Sequence, residues 1–136
     1  MLAMLQKPIA AERLADDVFY EKIDEETELL ARLIDAECGD DWCEDLMLYY
    51  TGSVVLNRVE SELFPDTLHD VIYQPGQYSV VDSGRIDKPP RERPLRIAKE
   101  LMKDGSQLPS KVVFQANFIQ GEVYAHIQTM YFCERD

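Results

Sequence analysis

Two helical patterns set almost end to end, between Asp24 and Val59, constrain this chain more than any other feature. The first starts at Asp24, a capping residue, carries Glu25 and Glu26 in its first turn, and reaches a stop at Gly39. Leu30, Leu33 and Ile34 form its apolar stripe. Glu28, Arg32 and Asp35 are assigned to the wet face, with Glu28–Arg32 an i,i+4 pair worth a few tenths of a kcal/mol. The second pattern is expected to open at Asp41, with Glu44 three residues on as an acidic capping box. Leu46, Tyr50 and Val54 recur every four residues in it. So much of its surface is apolar that it belongs at the centre of a core. Gly52 and Ser53 in its middle allow close approach of a neighbour, and the preceding helix is the obvious one.

Glu37 extends the first stripe, at i+7 from Leu30, i+4 from Leu33 and i+3 from Ile34. A carboxylate on a buried face is unusual without a partner. In the last turn it also meets the negative end of the helix. Both effects raise its pKa, which suits a general acid working near neutral pH. A Glu that merely ties two elements together would leave the same pattern.

Downstream, Phe64–Thr67 reads as a turn into a short helix through Val71–Tyr73. Gln74-Pro75-Gly76-Gln77 fits a type II turn, with Gly76 at the position needing positive φ. That turn gathers two amides, Tyr73 before them and Tyr78 and Ser79 after, a set able to read sugar hydroxyl and acetamido groups and to stack on a ring face. An ordinary polar turn has the same composition. Pro94 starts a helix over Leu95–Asp104, with Leu95, Ala98, Leu101 and Met102 inward and Gly105 as its stop. Beyond Pro109 the pattern turns to β. Lys111–Ala116 and Thr129–Cys133 are expected to form a small antiparallel pair across the Gln120-Gly121-Glu122 region. Helices first and strands last make the fold α+β, mainly helical. Residues 1–23 read as a leader that admits a short helix, and 24–136 as one domain.

Charge removes several functions. The 136 residues hold 26 Asp+Glu against 14 Lys+Arg, a net charge of −12. Fourteen of the acids and only three of the bases fall between Glu12 and Asp45. Such a field excludes nucleic acid, whose binding needs clustered Lys and Arg, and an anionic membrane surface. No run approaches the ~18–20 apolar residues of a membrane span, and the opening residues lack the pattern of a secretion signal. Cys38, Cys43 and Cys133 cannot all pair with one another. Together with His69 and His126 they lack the short paired spacings of a zinc site, so neither a disulfide framework nor a metal is expected.

Three stretches taken together carry a resemblance: Leu30–Glu37, then Val54-Val55-Leu56-Asn57-Arg58-Val59, then Phe64-Pro65-Asp66-Thr67 through Val71–Ser79. In this order and spacing they resemble the catalytic domain of the spore cortex-lytic enzyme and cell wall hydrolase family. The likeness runs from about Leu29 to Phe132 and is most specific in Tyr73–Ser79. It implies a lysozyme-like fold related to lytic transglycosylases, cleavage of peptidoglycan glycan strands at a bacterial cell wall by a bacterial or phage protein, and no cofactor. It also implies that Glu37 is the essential acid, and it places Asn117 near a family Asn. Two departures stand out. Asp40 replaces a longer Glu, and Met130 stands where the family often has His, with His126 four residues earlier read as a loop or strand-edge residue.

The chemistry that follows is protonation of a leaving glycosidic oxygen. A retaining lysozyme adds a second carboxylate about 5–5.5 Å away. A lytic transglycosylase uses one Glu twice, as acid and then as base toward the sugar's 6-hydroxyl. Asp40 and Asp41 are near enough in sequence to supply the second acid, yet solvation and capping explain them better, so the single-Glu route is favoured over hydrolysis. Glu37 would be catalytic, with Tyr73, Gln77, Tyr78, Ser79 and Asn117 contacting glycan. The alternative is a glycan-binding domain that keeps the fold without turnover. The acidic segment around Glu37 is expected to raise its pKa further.

Overall fold

Asp24 caps the first helix: its Oδ1 accepts the Thr27 N–H at 2.7 Å. That backbone bond holds the Asp24 carboxyl below its ordinary range. The computed structural model describes residues 23–136, so all but the last residue of the expected leader lies outside them. Helix α1 spans Glu25–Cys38, with Gly39 as its C-cap. Leu30, Leu33 and Ile34 are fully buried, as the stripe requires. Asp35 is not on a wet face. Its carboxylate accepts from the backbone N and Nε of Arg91 at 3.1 and 2.8 Å and lies 2.6 Å from Nη2.

Helix α2 covers Asp45–Glu60, four residues later than the expected start at Asp41. Distant partners claim the intervening backbone. Arg93 donates to the carbonyls of Asp40 and Cys43, each at 2.8 Å, and the Glu44 N–H donates to Gln128 Oε1 at 2.9 Å. With its own N–H engaged there, Glu44 is the N-cap, and its side chain makes no capping bond. The buried face runs through Met47, Leu48, Thr51, Val54, Val55 and Arg58, whereas Leu46 is 40% exposed. Of the four-spaced residues Leu46, Tyr50 and Val54, only Val54 therefore lies fully on that face. At Gly52 a Cβ would lie 2.5 Å from Leu101 Cδ1 and 2.8 Å from Ile34 Cδ1, so the expected close approach occurs, to two helices.

Short helices α3 (Leu68–Ile72) and α4 (Ser79–Asp82) and a 3-10 turn (Arg85–Asp87) lead to α5, Glu92–Asp104. Pro94 sits inside its first turn rather than before it, and the buried side is Pro94, Ile97, Ala98 and Leu101. Leu95 and Met102, expected inward, are only half-buried. Helix α5 packs against α1, and both contact α2, so α2 is the central helix its composition implies. Each fully buried Leu or Ile side chain contributes about 1.5–3 kcal/mol.

The β region holds three strands, not two: β1 (Val112–Ala116), β2 (Glu122–Ile127) and β3 (Met130–Glu134), antiparallel in the spatial order β1-β3-β2. Pairing of β1 with β3 follows expectation, with Phe114 opposite Cys133 and Ala116 opposite Tyr131. The unforeseen strand is β2, an edge strand most of whose side chains are exposed. Gln128, at φ +54, turns β2 into β3, and its side-chain amide also donates to the Trp42 carbonyl at 2.9 Å. The sheet is thereby tied to the turn before α2. Asn57 binds the carbonyls of Pro109 and Val112 at 2.8 and 3.0 Å, which fixes the start of β1 on α2.

Candidate functional site

Glu37 lies in the last turn of α1, half-buried, with Ala36 and Cys38 buried on either side. Burial raises its pKa; the charges of Arg85 and, less strongly, Arg58 pull it part of the way back. The groups that act on it are thus a desolvating wall and two cations. The acidic segment expected to help is not among them. Among its described members, three are held by other cations: Asp35 is bound to Arg91, Asp40 lies 3.6 Å from the same guanidinium, and Asp45 is 3.1 Å from Arg93. Asp40 and Asp41 are exposed.

Arg58 organises the wall facing α1. It is only 6% exposed. Its Nε donates to the Val113 carbonyl at 2.7 Å and its Nη1 to Gln77 Oε1 at 3.1 Å. The guanidinium lies 4.7 Å from the Phe64 ring centroid and 5.4 Å from that of Tyr78. One buried cation therefore links α2, β1, the Phe64 turn and the turn of the Tyr73–Ser79 segment. That turn has the expected form, with Gly76 at φ +78 and Gln77 N–H donating to the Gln74 carbonyl at 3.2 Å.

Tyr78 is buried, and its hydroxyl has no hydrogen-bond partner among the described residues. Burial pushes its pKa up to about 12; Arg58 lowers it and Glu37 raises it, so the hydroxyl stays a donor within the field of that carboxyl. Gln74 Oε1 is buried and unpaired as well. Such orphans are costly in a closed core, and two of the four among the described residues fall in this segment, the others being Gln115 Oε1 and Arg135 Nε.

The remaining expected contacts divide. Gln77 is joined to Arg58, whereas Ser79 is exposed at the start of α4. Tyr73 is exposed and stacks on His69, with ring centroids 4.5 Å apart. Asn117 is exposed just past β1. His126 is an edge-strand residue on β2, stacked on Tyr131 at 3.9 Å. Cys38, Cys43 and Cys133 are buried free thiols. Burial pushes Cys38 up to about 12, and it donates to Thr51 Oγ1 at 3.4 Å. Among the described residues no group of three His, Cys, Asp or Glu side chains is placed to hold a metal ion.

Arg58 and Arg85 were given no role by the sequence reading. Arg58 had a usable signal: a cation within a helix apolar on most sides must find partners when buried. Arg85 had none, because it comes beside α1 only through the 3-10 turn.

The arrangement, a carboxyl desolvated by burial and within the field of two cations, is suited to proton transfer. The catalytic domain of the Bacillus cereus SleB protein matches the fold with a TM-score of 0.70 at 20% identity, over 80% of this chain and 89% of that one. The catalytic domain of the germination-specific lytic transglycosylase SleB from Bacillus anthracis matches with a TM-score of 0.69 at 20% identity, over 80% and 93%. At that identity the likeness is one of fold: mainly helical α+β, with the antiparallel sheet at the C-terminal end. Among curated proteins no match is found. The family model for Cell Wall Hydrolase matches residues 49–133, from within α2 to the end of the sheet and C-terminal to Glu37. With most of its length under that model, the chain belongs to the cell wall hydrolase family.

Proposed function

We propose that the domain cleaves the peptidoglycan glycan strand between N-acetylmuramic acid and N-acetylglucosamine, as a lytic transglycosylase with Glu37 as its single acid and base. The observation that carries this reading is the pairing of burial with two cations around Glu37. Burial makes the carboxyl hold its proton more tightly, which suits it to protonate the leaving glycosidic oxygen as the C1–O bond breaks. Once that proton has gone, Arg85 and Arg58 stabilise the carboxylate, which then takes the proton of the 6-hydroxyl as that oxygen bonds to C1. The product is a 1,6-anhydro end, formed without water.

The ion pair of Asp40 with Arg91 and the exposure of Asp41 favour one acid over a two-carboxylate mechanism. The Bacillus anthracis neighbour is itself described as a lytic transglycosylase. Tyr73, Gln77, Ser79 and Asn117 would contact the glycan, with buried Tyr78 behind them supporting the wall. The test incubates the chain and Glu37→Gln with purified peptidoglycan and analyses the muropeptides by mass spectrometry. Anhydro ends made by the wild type alone are the expected result. Reducing ends at muramic acid or at glucosamine would replace it with a muramidase or a glucosaminidase. Binding by the wild type without any product would leave only a glycan-binding domain.

A further inference from the structure

A cleft of about 380 Å³ opens between the end of α1, the turn at Asp40, the 3-10 turn and the connector to α5. Five charged side chains line it: Asp35, Asp40, Arg85, Lys88 and Arg91. Three of them satisfy one another, since Arg91 lies 2.6 Å from Asp35 and 3.6 Å from Asp40. Arg85 and Lys88 have no acidic partner within 4 Å among the described residues. In a chain of net charge −12, two cations without an ion-pair partner on one concave wall run against the background. The turn that presents Arg85 is anchored, because Arg32 Nη1 donates to the Asp87 carbonyl at 2.6 Å. The cleft is coupled to the carboxyl of the preceding section through Arg85, which lines it and whose charge reaches Glu37.

We propose that this cleft binds a carboxylate carried on the lactyl arm of the muramic acid at the scissile bond, with Arg85 and Lys88 as its ligands. The proposal rests on the glycan-cleaving reading above. The sugar rings of such a strand are neutral. Its anions hang from the 3-O-lactyl group, either as the lactyl carboxylate itself or as carboxylates of a stem peptide joined to it. A guanidinium offers a planar fork to a carboxylate and an ammonium a point charge. A contact of this kind acts at short range and weakens with salt. It therefore selects and registers the strand without cancelling the repulsion between an acidic protein and an anionic wall.

The test uses the full chain and three preparations of one peptidoglycan. These are native strands, strands whose carboxylates have been amidated with carbodiimide and ammonia, and strands stripped of peptide by an amidase so that the lactyl carboxylate is free. We expect kcat/KM on native strands to exceed that on amidated strands by about tenfold, with the ratio falling as salt rises. Lys88→Glu should cut the native-to-amidated ratio about tenfold, mainly through KM. In native strands the lactyl carboxyl is held in the amide to the peptide, so stripped strands cleaved like native ones show that the freed lactyl carboxylate fills the cleft as well as a stem-peptide carboxylate does; cleaved like amidated ones, they assign the contact to the stem peptide alone. Equal cleavage of native and amidated strands, or an equal loss on both in Lys88→Glu, overturns the cleft proposal and leaves the glycan-cleaving reading intact. Failure of the wild type to cleave any preparation overturns both.

Discussion

Asp35 and Glu37 stand two residues apart near the end of the same helix, and the fold treats them in opposite ways. The Asp35 side chain is only 11% exposed, yet its carboxylate accepts two hydrogen bonds from Arg91 and lies against the guanidinium. Its charge is answered where it stands, and it ties α1 to the connector before α5. Glu37 is also partly buried, but its cations act through charge without a direct hydrogen bond from either. Burial then decides, and the carboxyl holds its proton more tightly. Two similar groups are treated differently because one has donors in contact and the other does not; the proposed role of Glu37 as proton donor rests on that difference.

The largest effect that would test this contrast is on turnover. Glu37→Gln should lower kcat on peptidoglycan by roughly 10²–10⁴-fold, while Asp35→Asn lowers it far less; comparable losses would erase the distinction. Next comes the buried cation. Arg58→Met leaves the Val113 carbonyl without its 2.7 Å donor and should cost about 2–3 kcal/mol in urea unfolding. Because Arg58 lowers the pKa of Glu37, the same variant should move the high-pH fall of kcat/KM to higher pH.

Asp35→Asn should cost about 1–2 kcal/mol in the same unfolding experiment, from loss of a partly buried ion pair. The smallest effect concerns pH and stability at Glu37. Its folded pKa is raised, so its contribution to stability is complete below the unfolded value and is lost as pH rises through the folded value. Thermal melts of Glu37→Gln and wild type should therefore agree at low pH and separate toward neutrality, with the variant the more stable. A constant gap across that range would show that burial does not set this pKa.

Much of the helical frame can be read along the chain. The cap at Asp24, the stripe through Leu30, Leu33 and Ile34, and the Pro75-Gly76 turn each depend on neighbours within one or two turns, so local pattern carries them. The start of α2 was misread because Arg93 and Gln128 claim its approach from about fifty and eighty residues away. Strand β2 was missed for a related reason. An edge strand with Val123 and Tyr124 exposed shows no buried alternation and is defined by pairing with β3.

The same division runs through the site. By itself the sequence determines that a carboxylate falls on the buried stripe of α1, because helical periodicity is local, and burial of that stripe raises its pKa. It places fourteen acids between Glu12 and Asp45, and along the chain these look like the neighbours of Glu37. Only the tertiary structure decided which charges Glu37 meets, turning Asp35 and Asp40 toward Arg91 and bringing Arg58 and Arg85 to bear instead. Coulombic interaction depends on distance in space and on what lies between, and neither is written in the order of residues.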